Sequence, residues 1–256
     1  MQSLLDGLNR EQQQAVQHTE GPLFILAGAG SGKTKVLTVR IAYLLAQGVN
    51  PYEILAITFT NKAAKEMKSR VEGLVGDVAN RIWLSTFHSF CAKFLRFELD
   101  NFLGYNSNFT IYDTSDSQVV IIAALKAFNL DDKYYTVGAM ISAISDAKNK
   151  LMFASDYRKQ AHDIYQQKVD DVYEYYEREL RKNNALDFDD LLLIAVKLLQ
   201  SNAAVLEKYS KRFKYVMIDE YQDTNHAQYL LAYLLSSYLK NIAVVGDADQ
   251  SIYAWR

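Results

Sequence analysis

The chain contains four short apolar runs, and each ends in a polar or glycine-containing loop. Runs of this length that contain β-branched residues are typical of strands buried in a parallel sheet. Helical periodicity fills stretches between them, and this alternation predicts an α/β fold with helices on both faces of a parallel sheet. The predicted strands are residues 23–26, 54–58, 215–218 and 242–245.

Two stretches carry an apolar face at helical spacing. The first predicts a helix over residues 35–47, which Gly48 is expected to end. The second is residues 168–181, within a region from about residue 115 to about residue 184 that contains no convincing strand pattern. The middle of the chain is therefore expected to form an all-helical subdomain inserted into the α/β domain. The apolar positions are Leu37, Ile41, Leu44 and Leu45 in the first stretch and Val169, Val172, Tyr176 and Leu180 in the second.

A glycine-rich loop connects the first predicted strand to the first of these helices. It consists of Ala27, Gly28, Ala29, Gly30, Ser31, Gly32, Lys33 and Thr34. Strand, glycine loop, Lys-Thr and helix is the order that a phosphate-binding P-loop requires, because backbone N–H groups and the helix N-terminus surround the phosphates. Lys33 would reach the β- and γ-phosphates, and the Thr34 hydroxyl would bind Mg²⁺. The general pattern has glycine where Ala27 stands, and the alternative is a simple glycine-rich turn.

The loops after the last two predicted strands carry further polar groups. Asp219 and Glu220 follow the third strand, and phosphoryl transfer to water needs one carboxylate for Mg²⁺ and another group beside it for the water. A solvated acidic pair is the alternative. Gln250 follows the fourth strand and could hydrogen-bond a γ-phosphate. The Asp residues of that loop could equally cap a following helix, and the sequence leaves both interpretations open.

Asn9 and Gln12 have the spacing of a capping box at the start of a helix. Two other clusters combine an aromatic ring, small donors and a basic side chain, which suits a single-stranded nucleic acid. They are Phe59, Thr60, Asn61 and Lys62, and Ser85, Thr86, Phe87 and His88. Thr60 could instead cap a helix, and a lone histidine such as His88 is more often structural. Aromatic residues such as Phe188, Tyr253 and Trp255 are individually more typical of a core.

Composition narrows the classes of protein further. Half of the 256 residues are hydrophobic, and the formal net charge is −2, so any nucleic acid would have to bind through a local groove. The single cysteine, Cys91, cannot form an intramolecular disulfide. The chain has no 18-residue apolar stretch and no signal-peptide pattern at its start. We therefore expect a cytoplasmic protein that has no contact with a membrane.

Taken together, these motifs resemble the superfamily 1A DNA helicases of the UvrD/Rep/PcrA type. The resemblance runs through the whole chain in order, and Ala27 in the first P-loop position is common in that family. Further matching stretches are Asp187-Phe188-Asp189-Asp190-Leu191, Ile218-Asp219-Glu220-Tyr221-Gln222-Asp223-Thr224 and Gly246-Asp247-Ala248-Asp249-Gln250-Ser251-Ile252-Tyr253 with Trp255-Arg256.

The resemblance implies a RecA-like P-loop domain, 1A, over residues 1–110 and 185–256, with an inserted helical domain, 1B, over residues 111–184. It implies ATP and Mg²⁺ as cofactors and an ATP-dependent 3′–5′ translocase or helicase acting on single-stranded DNA and on junctions with duplex, in DNA repair or replication. Gln12 would contact adenine, Asp219 would hold the metal, Glu220 would activate water and Gln250 would sense the γ-phosphate. The DNA path would be lined by Phe59, Thr60, Asn61, Lys62, Thr86, Phe87, His88, Phe188, Tyr253 and Trp255.

The resemblance also implies what would follow Arg256 in that family, namely a second RecA-like domain with arginines for the γ-phosphate. A polypeptide that ended at Arg256 would be expected to hydrolyse ATP poorly. The alternative function is therefore a non-catalytic nucleotide- or DNA-binding fragment. A P-loop kinase or GTPase is disfavoured, because nothing in the sequence resembles a guanine-recognition or acceptor-substrate motif.

Overall fold

The computed structural model describes residues 2–28, 30–131 and 133–247. Among them, none of the helices is both long and apolar enough to cross a membrane. The helices are α1 (Gln2–Leu5), α2 (Arg10–Gln17), α3 (Lys33–Ala46), α4 (Asn61–Val75), α5 (Phe87–Glu98), α6 (Thr114–Ala127), α7 (Val137–Asn149), α8 (Ala154–Tyr157), α9 (Ile164–Lys182), α10 (Phe188–Ser201), α11 (Ala203–Arg212) and α12 (His226–Leu235). The strands are β1 (Leu23–Leu26), β2 (Ile54–Thr58), β3 (Trp83–Thr86), β4 (Thr110–Ile111), β5 (Ala185–Leu186), β6 (Tyr215–Ile218) and β7 (Ile242–Gly246).

Five strands form the main sheet, in the order β1-β7-β6-β2-β3, and every neighbouring pair is parallel. Four of them coincide with the predicted apolar runs, and β7 extends one residue further, to Gly246. The predicted α/β fold with a parallel sheet is confirmed. Because the P-loop strand β1 lies beside β7, and β7 beside β6, the loops that follow these three strands meet at one edge of the sheet.

Strand β3 was not among the predicted strands. It pairs with β2, so that Trp83 lies beside Leu55 and Thr86 beside Thr58. Only its first half is apolar, and Ser85 and Thr86 interrupt the pattern. A strand that is half polar, with its two middle residues partly exposed, does not produce the continuous apolar run that revealed the other four.

Helices cover both faces of the sheet. Helices α3 and α4 pack on one face, and α12 lies against the other, near Ile242 and Val244. Helix α3 begins at Lys33, two residues before the predicted start, and Gly48 follows its end with φ +90°, as expected of a glycine that ends a helix. The core beneath α3 and α4 consists of Leu37, Ile41, Leu44, Ile54, Ala56, Met67, Val71, Ala79, Ile82, Met217, Ala243 and Val245.

The chain divides into two compact units, which we call the sheet unit (residues up to 90 and from 202 onward) and the helical unit (residues 91–201). The helical unit has its own core, built from α6, α7 and α9, and the predicted apolar face of α9 is buried in it. Its only strands within the described residues are the two-residue β4 and β5. The assignment of residues 111–184 to a domain 1B remains a prediction.

Candidate active site

The P-loop forms the turn that leads from β1 into α3. Gly30 and Gly32 have φ +74° and +83°, a region that favours glycine, and the Ser31 N–H donates to the Gly28 carbonyl at 3.3 Å. The first N–H groups of a helix have no partner within the helix, and α3 presents them directly after the loop. These groups, together with the positive end of the helix dipole, suit the binding of a phosphate.

Lys33 is held inside the loop. Its ammonium donates to the Ala27 carbonyl at 2.9 Å and forms an ion pair with Asp247 at 3.0 Å between Nζ and Oδ2. Both side chains are buried, 9% and 2% exposed respectively. The sequence pattern indicated only helix capping for the Asp residues of this loop, and it did not indicate the pairing of Asp247 with Lys33.

Thr34 and Asp219 are in direct contact. The Thr34 hydroxyl donates to Asp219 Oδ2 at 3.0 Å, across 185 residues of sequence. Burial raises the pKa of Asp219 above its usual value, and the hydrogen bond from Thr34 partly opposes that shift. A hydroxyl and a carboxylate are oxygen ligands of the kind that Mg²⁺ prefers, and Mg²⁺ needs few protein ligands because phosphates and water complete its shell. The residues present therefore fit the cation that the sequence implies.

Glu220 has an unusual backbone conformation. Its φ of 52° and ψ of 43° lie in the left-handed region, which is uncommon for a residue with a side chain. The Glu220 N–H donates to Asp219 Oδ1 at 3.1 Å, and the Gln222 amide donates to Glu220 Oε2 at 2.8 Å. Backbone strain of this kind costs about 1–3 kcal/mol and is often found at functional sites.

Gln12 forms the capping box considered for it and also contacts the P-loop, while its contact with adenine remains a prediction. It completes the capping box of α2. Gln12 Oε1 accepts from the Asn9 N–H at 3.0 Å, and Asn9 Oδ1 accepts from the Gln12 N–H at 2.8 Å. Its side-chain Nε2 also donates to the Ser31 carbonyl at 2.8 Å. Gly32 makes room for this contact, because a Cβ there would lie 3.2 Å from Gln12 Nε2. Gln12 therefore lies against the P-loop, beside the phosphate-binding turn.

Arg40 is a buried residue that the sequence analysis missed. It lies on the inward side of α3, only 1% exposed, and its guanidinium donates to the carbonyls of Ala15, Val16, His18 and Thr19 at the end of α2. Burial lowers the pKa of Arg40 to about 10. This cation satisfies carbonyls that α2 leaves unpaired, and so fixes the helix of Gln12 to the P-loop helix.

A pocket of about 310 Å³ connects the carboxylates of Asp219 and Glu220 to one of the two aromatic clusters. Thr34, Asp219 and Glu220 line one part of it, and Phe59 and Thr60 line another. The carboxyl ends of β2 and β6 are paired neighbours, with Ile57 beside Ile218, which explains why their loops meet. Residues expected to bind a nucleotide and residues expected to bind DNA therefore share one cavity of the sheet unit.

The family described as UvrD/REP helicase N-terminal domain matches residues 8–256. This chain belongs to that family. Curated relatives from Staphylococcus epidermidis and Staphylococcus aureus, each named ATP-dependent DNA helicase PcrA, are 54% identical over 257 residues. The match covers 100% of this chain but 35% of each relative, so the chain spans about a third of their length. The resemblance drawn from the motifs is thus confirmed.

The structure divides the predicted DNA-contacting residues of this UvrD/REP family member into exposed and buried groups. Thr60, Asn61 and Lys62 are exposed at the start of α4, and Phe59 is partly exposed. Thr60 also caps α4, since its Oγ1 accepts from the Ala63 N–H at 3.1 Å, so the alternative role considered for it is present as well.

Two predicted contacts of the second cluster are buried instead. Phe87 is 1% exposed and packs edge-to-face against Phe59, with ring centroids 5.7 Å apart. Thr86 is 6% exposed, and its hydroxyl accepts from the Ser89 N–H and donates to Ser89 Oγ at 2.9 Å. In this conformation Phe87 is buried against Phe59 and is not available to stack on a base. His88 is partly exposed.

Phe188 lies in the helical unit, 52% exposed, at the first residue of α10. The residues on either side of it are fixed by a buried cation. Lys148, 1% exposed, pairs with both Asp187 and Asp190, each at 2.7 Å, and these two aspartates also accept each other's N–H groups. Tyr176 donates a further hydrogen bond to Asp187 at 2.8 Å. The exposed ring is thus attached to a rigid helix start.

Four of the predicted site residues lie outside the described residues. They are Ala29 of the P-loop, Gln250 as the γ-phosphate sensor, and Tyr253 and Trp255 on the DNA path.

Proposed function

We propose that this chain is the ATP-binding part of an ATP-dependent DNA helicase that translocates 3′ to 5′ on single-stranded DNA. The observation that carries the proposal is the contact of Thr34 with Asp219, beside Glu220 and the P-loop. Two chain segments that are distant in sequence, the P-loop and the loop after β6, bring a phosphate loop, a metal ligand pair and a candidate base to one sheet edge. The relatives' name, ATP-dependent DNA helicase PcrA, supports the same function for this chain.

In the proposed mechanism each residue has a separate task. Gln12 contacts the adenine, the N–H groups of the P-loop and Lys33 bind the phosphates, and Thr34 and Asp219 hold Mg²⁺. The bound cation neutralises charge on the phosphates. Glu220 accepts the proton of the attacking water, since its carboxylate lies next to Asp219 and lines the same pocket. Gln250 is proposed as the sensor of the γ-phosphate.

The proposed DNA surface adjoins this site. Phe59, supported by Phe87, offers an aromatic face, and Thr60, Asn61 and Lys62 offer donors and a positive charge to the backbone. The pocket shared with Glu220 supports a direct coupling, because a base or sugar that moves Phe59 also changes the wall of the catalytic site. Single-stranded DNA and its junctions with duplex are the proposed partners, with Phe188, Tyr253 and Trp255 as further stacking residues.

We further propose that the two compact units correspond to the domains named 1A and 1B in this family, with 1A formed by residues 1–110 and 185–256 and 1B by residues 111–184. The division of the chain into a sheet unit and a helical unit supports this correspondence, although the helical unit as packed begins earlier and ends later.

The test is ATP hydrolysis by residues 1–256 and by the full polypeptide that contains them, each with and without single-stranded DNA. The proposal predicts that the full polypeptide hydrolyses ATP and that DNA raises its rate. ATP and DNA binding without turnover in either protein would instead support the alternative of a non-catalytic binding module. A Lys33→Ala variant serves as the control for hydrolysis by contaminating enzymes.

A further inference from the structure

We infer that Gln222 is a positioning residue, which orients the carboxylate of Glu220 and connects it to the end of β7. The inference rests on the proposed role of Glu220 as the base. None of the roles discussed so far involves Gln222, although it lies two residues beyond Glu220 in the sequence. Its side chain joins Glu220, in the loop after β6, to Asp247, just after β7, through hydrogen bonds at both of its polar atoms.

Both ends of the Gln222 amide are used. The nitrogen donates to Glu220 Oε2 at 2.8 Å, and the oxygen accepts from the Asp247 N–H at 3.0 Å. The same nitrogen is 3.4 Å from Asp223 Oδ2, a longer and weaker contact. Gly246 allows the close approach, because a Cβ at that position would lie 3.2 Å from Gln222 Oε1. The amide is therefore clamped between a backbone group and a carboxylate.

This contact restrains a side chain that is otherwise mobile. A glutamate has several rotatable bonds, and fixing them costs conformational entropy. A hydrogen bond to one carboxylate oxygen, with the left-handed backbone of Glu220, selects one orientation and leaves Oε1 to accept a proton. A catalytic group misplaced by about 1 Å can lose about a hundredfold in rate.

Through Asp247 the contact extends to the phosphate-binding lysine. Asp247 offers its N–H to Gln222 and its carboxylate to Lys33. Lys33, Asp247, Gln222 and Glu220 thus form a continuous series of polar contacts from the P-loop to the candidate base. When Lys33 turns towards a phosphate, the end of β7 loses a cation and the clamp on Glu220 changes with it.

The experiment compares three variants in the full polypeptide that contains this chain. Gln222→Ala removes both hydrogen bonds. Gln222→Glu keeps the size and the acceptor for Asp247, but replaces the donor to Glu220 with a second carboxylate. Gln200→Ala, at an exposed position of α10, is the matched control. For each we measure kcat with saturating single-stranded DNA, the Kd for a fluorescent ATP analogue, and the thermal midpoint of unfolding.

We expect Gln222→Ala and Gln222→Glu each to lower kcat by about 10- to 100-fold, with the Kd changed by less than about twofold. Gln200→Ala should have the same kcat, Kd and thermal midpoint of unfolding as the parent. The inference is overturned if Gln222→Glu retains the parental kcat, or if Kd weakens in proportion to kcat, which would indicate a purely structural role. The Glu220→Gln variant distinguishes a failure of the inference about Gln222 from a failure of the proposed role of Glu220 as the base. If it abolishes turnover while both Gln222 variants remain active, only the inference fails; if it has no effect, the assigned base and the inference both fail.

Discussion

Lys33 and Asp247 form a buried ion pair that joins the P-loop to the end of β7. The lysine that is expected to reach phosphates is therefore already bound to a carboxylate and to carbonyls of its own loop. A nucleotide that binds through Lys33 as proposed would have to compete with these partners, and that competition would couple phosphate binding to the position of β7.

The ion pair predicts a loss of stability when its cation is removed. Lys33→Met keeps most of the side-chain length but leaves the Asp247 carboxylate, 2% exposed, without its ammonium. Breaking a buried pair in this way costs about 3–5 kcal/mol, measured as the free energy of unfolding in urea. Lys211→Met, which breaks an exposed pair with Glu207, should change stability little. An equal effect of the two substitutions would contradict the account, and adding Asp247→Asn to Lys33→Met should recover part of the loss.

We expect Gln12 to make the site selective for adenine. Gln12→Ala removes the amide that touches Ser31 and is proposed to contact the base, so the Kd for ATP should rise about tenfold. The Kd for GTP should change less, because its base does not match the amide. Fluorescence titration with both nucleotides measures the ratio of the Kd for GTP to the Kd for ATP. Gln14→Ala, exposed on the same helix, is the matched control, and an unchanged ratio in Gln12→Ala would exclude the adenine contact.

The buried charges around Lys148 predict a dependence of stability on pH. Burial, followed by the charge of Asp187, raises the pKa of Asp190 to about 7. A folded pKa above the unfolded value of about 4 means that the folded state binds the proton more tightly, so the free energy of unfolding falls as pH rises from about 4 to about 7. The pKa of Asp187 is lowered by Lys148, so its contribution is lost only below that window.

Asp190→Asn should reduce the fall in the free energy of unfolding between about pH 4 and about pH 7. Urea unfolding followed by circular dichroism, at several pH values across the window, measures it. Asp171→Asn, partly exposed on α9, is the control. A decline as steep in Asp190→Asn as in the parent would show that Asp190 does not cause it.

Phe188 predicts a stacking contribution to DNA affinity. Phe188→Ala should weaken the binding of oligothymidylate by about 1–3 kcal/mol, because every base can stack on an aromatic ring. Phe188→Trp should retain binding. Phe97→Ala removes an equally prominent ring, 66% exposed on α5, and should have little effect. Fluorescence anisotropy measures all three, and similar losses in Phe188→Ala and Phe97→Ala would argue against a specific stacking site.

Much of the sheet and the P-loop could be predicted from the sequence, because their signals are local. A buried strand needs a continuous apolar run, and a phosphate loop needs glycines next to Lys-Thr. Residues 23–34 therefore predict their own structure without information from the rest of the chain. Strand β3 has no such run, and its existence depends on pairing with β2.

The roles of Arg40, Asp247 and Gln222 depend on contacts that sequence distance conceals. Arg40 binds carbonyls more than twenty residues away, and Gln222 accepts from Asp247, 25 residues further on. A charged residue in an apolar helix is the one signal that could have indicated Arg40. The burial of Phe87 could not be predicted either, because a cluster of polar and aromatic residues does not reveal which ring faces the core.

Glu220 is proposed to activate water in an ATP site of this chain. The most direct measurement is the DNA-stimulated ATP hydrolysis of Glu220→Gln in the full polypeptide, together with its Kd for ATP. We expect turnover to fall by about 10²- to 10⁴-fold while the Kd stays within about twofold, because the amide keeps the shape of the carboxylate but accepts no proton. Turnover equal to that of the parent would show that Glu220 does not activate water.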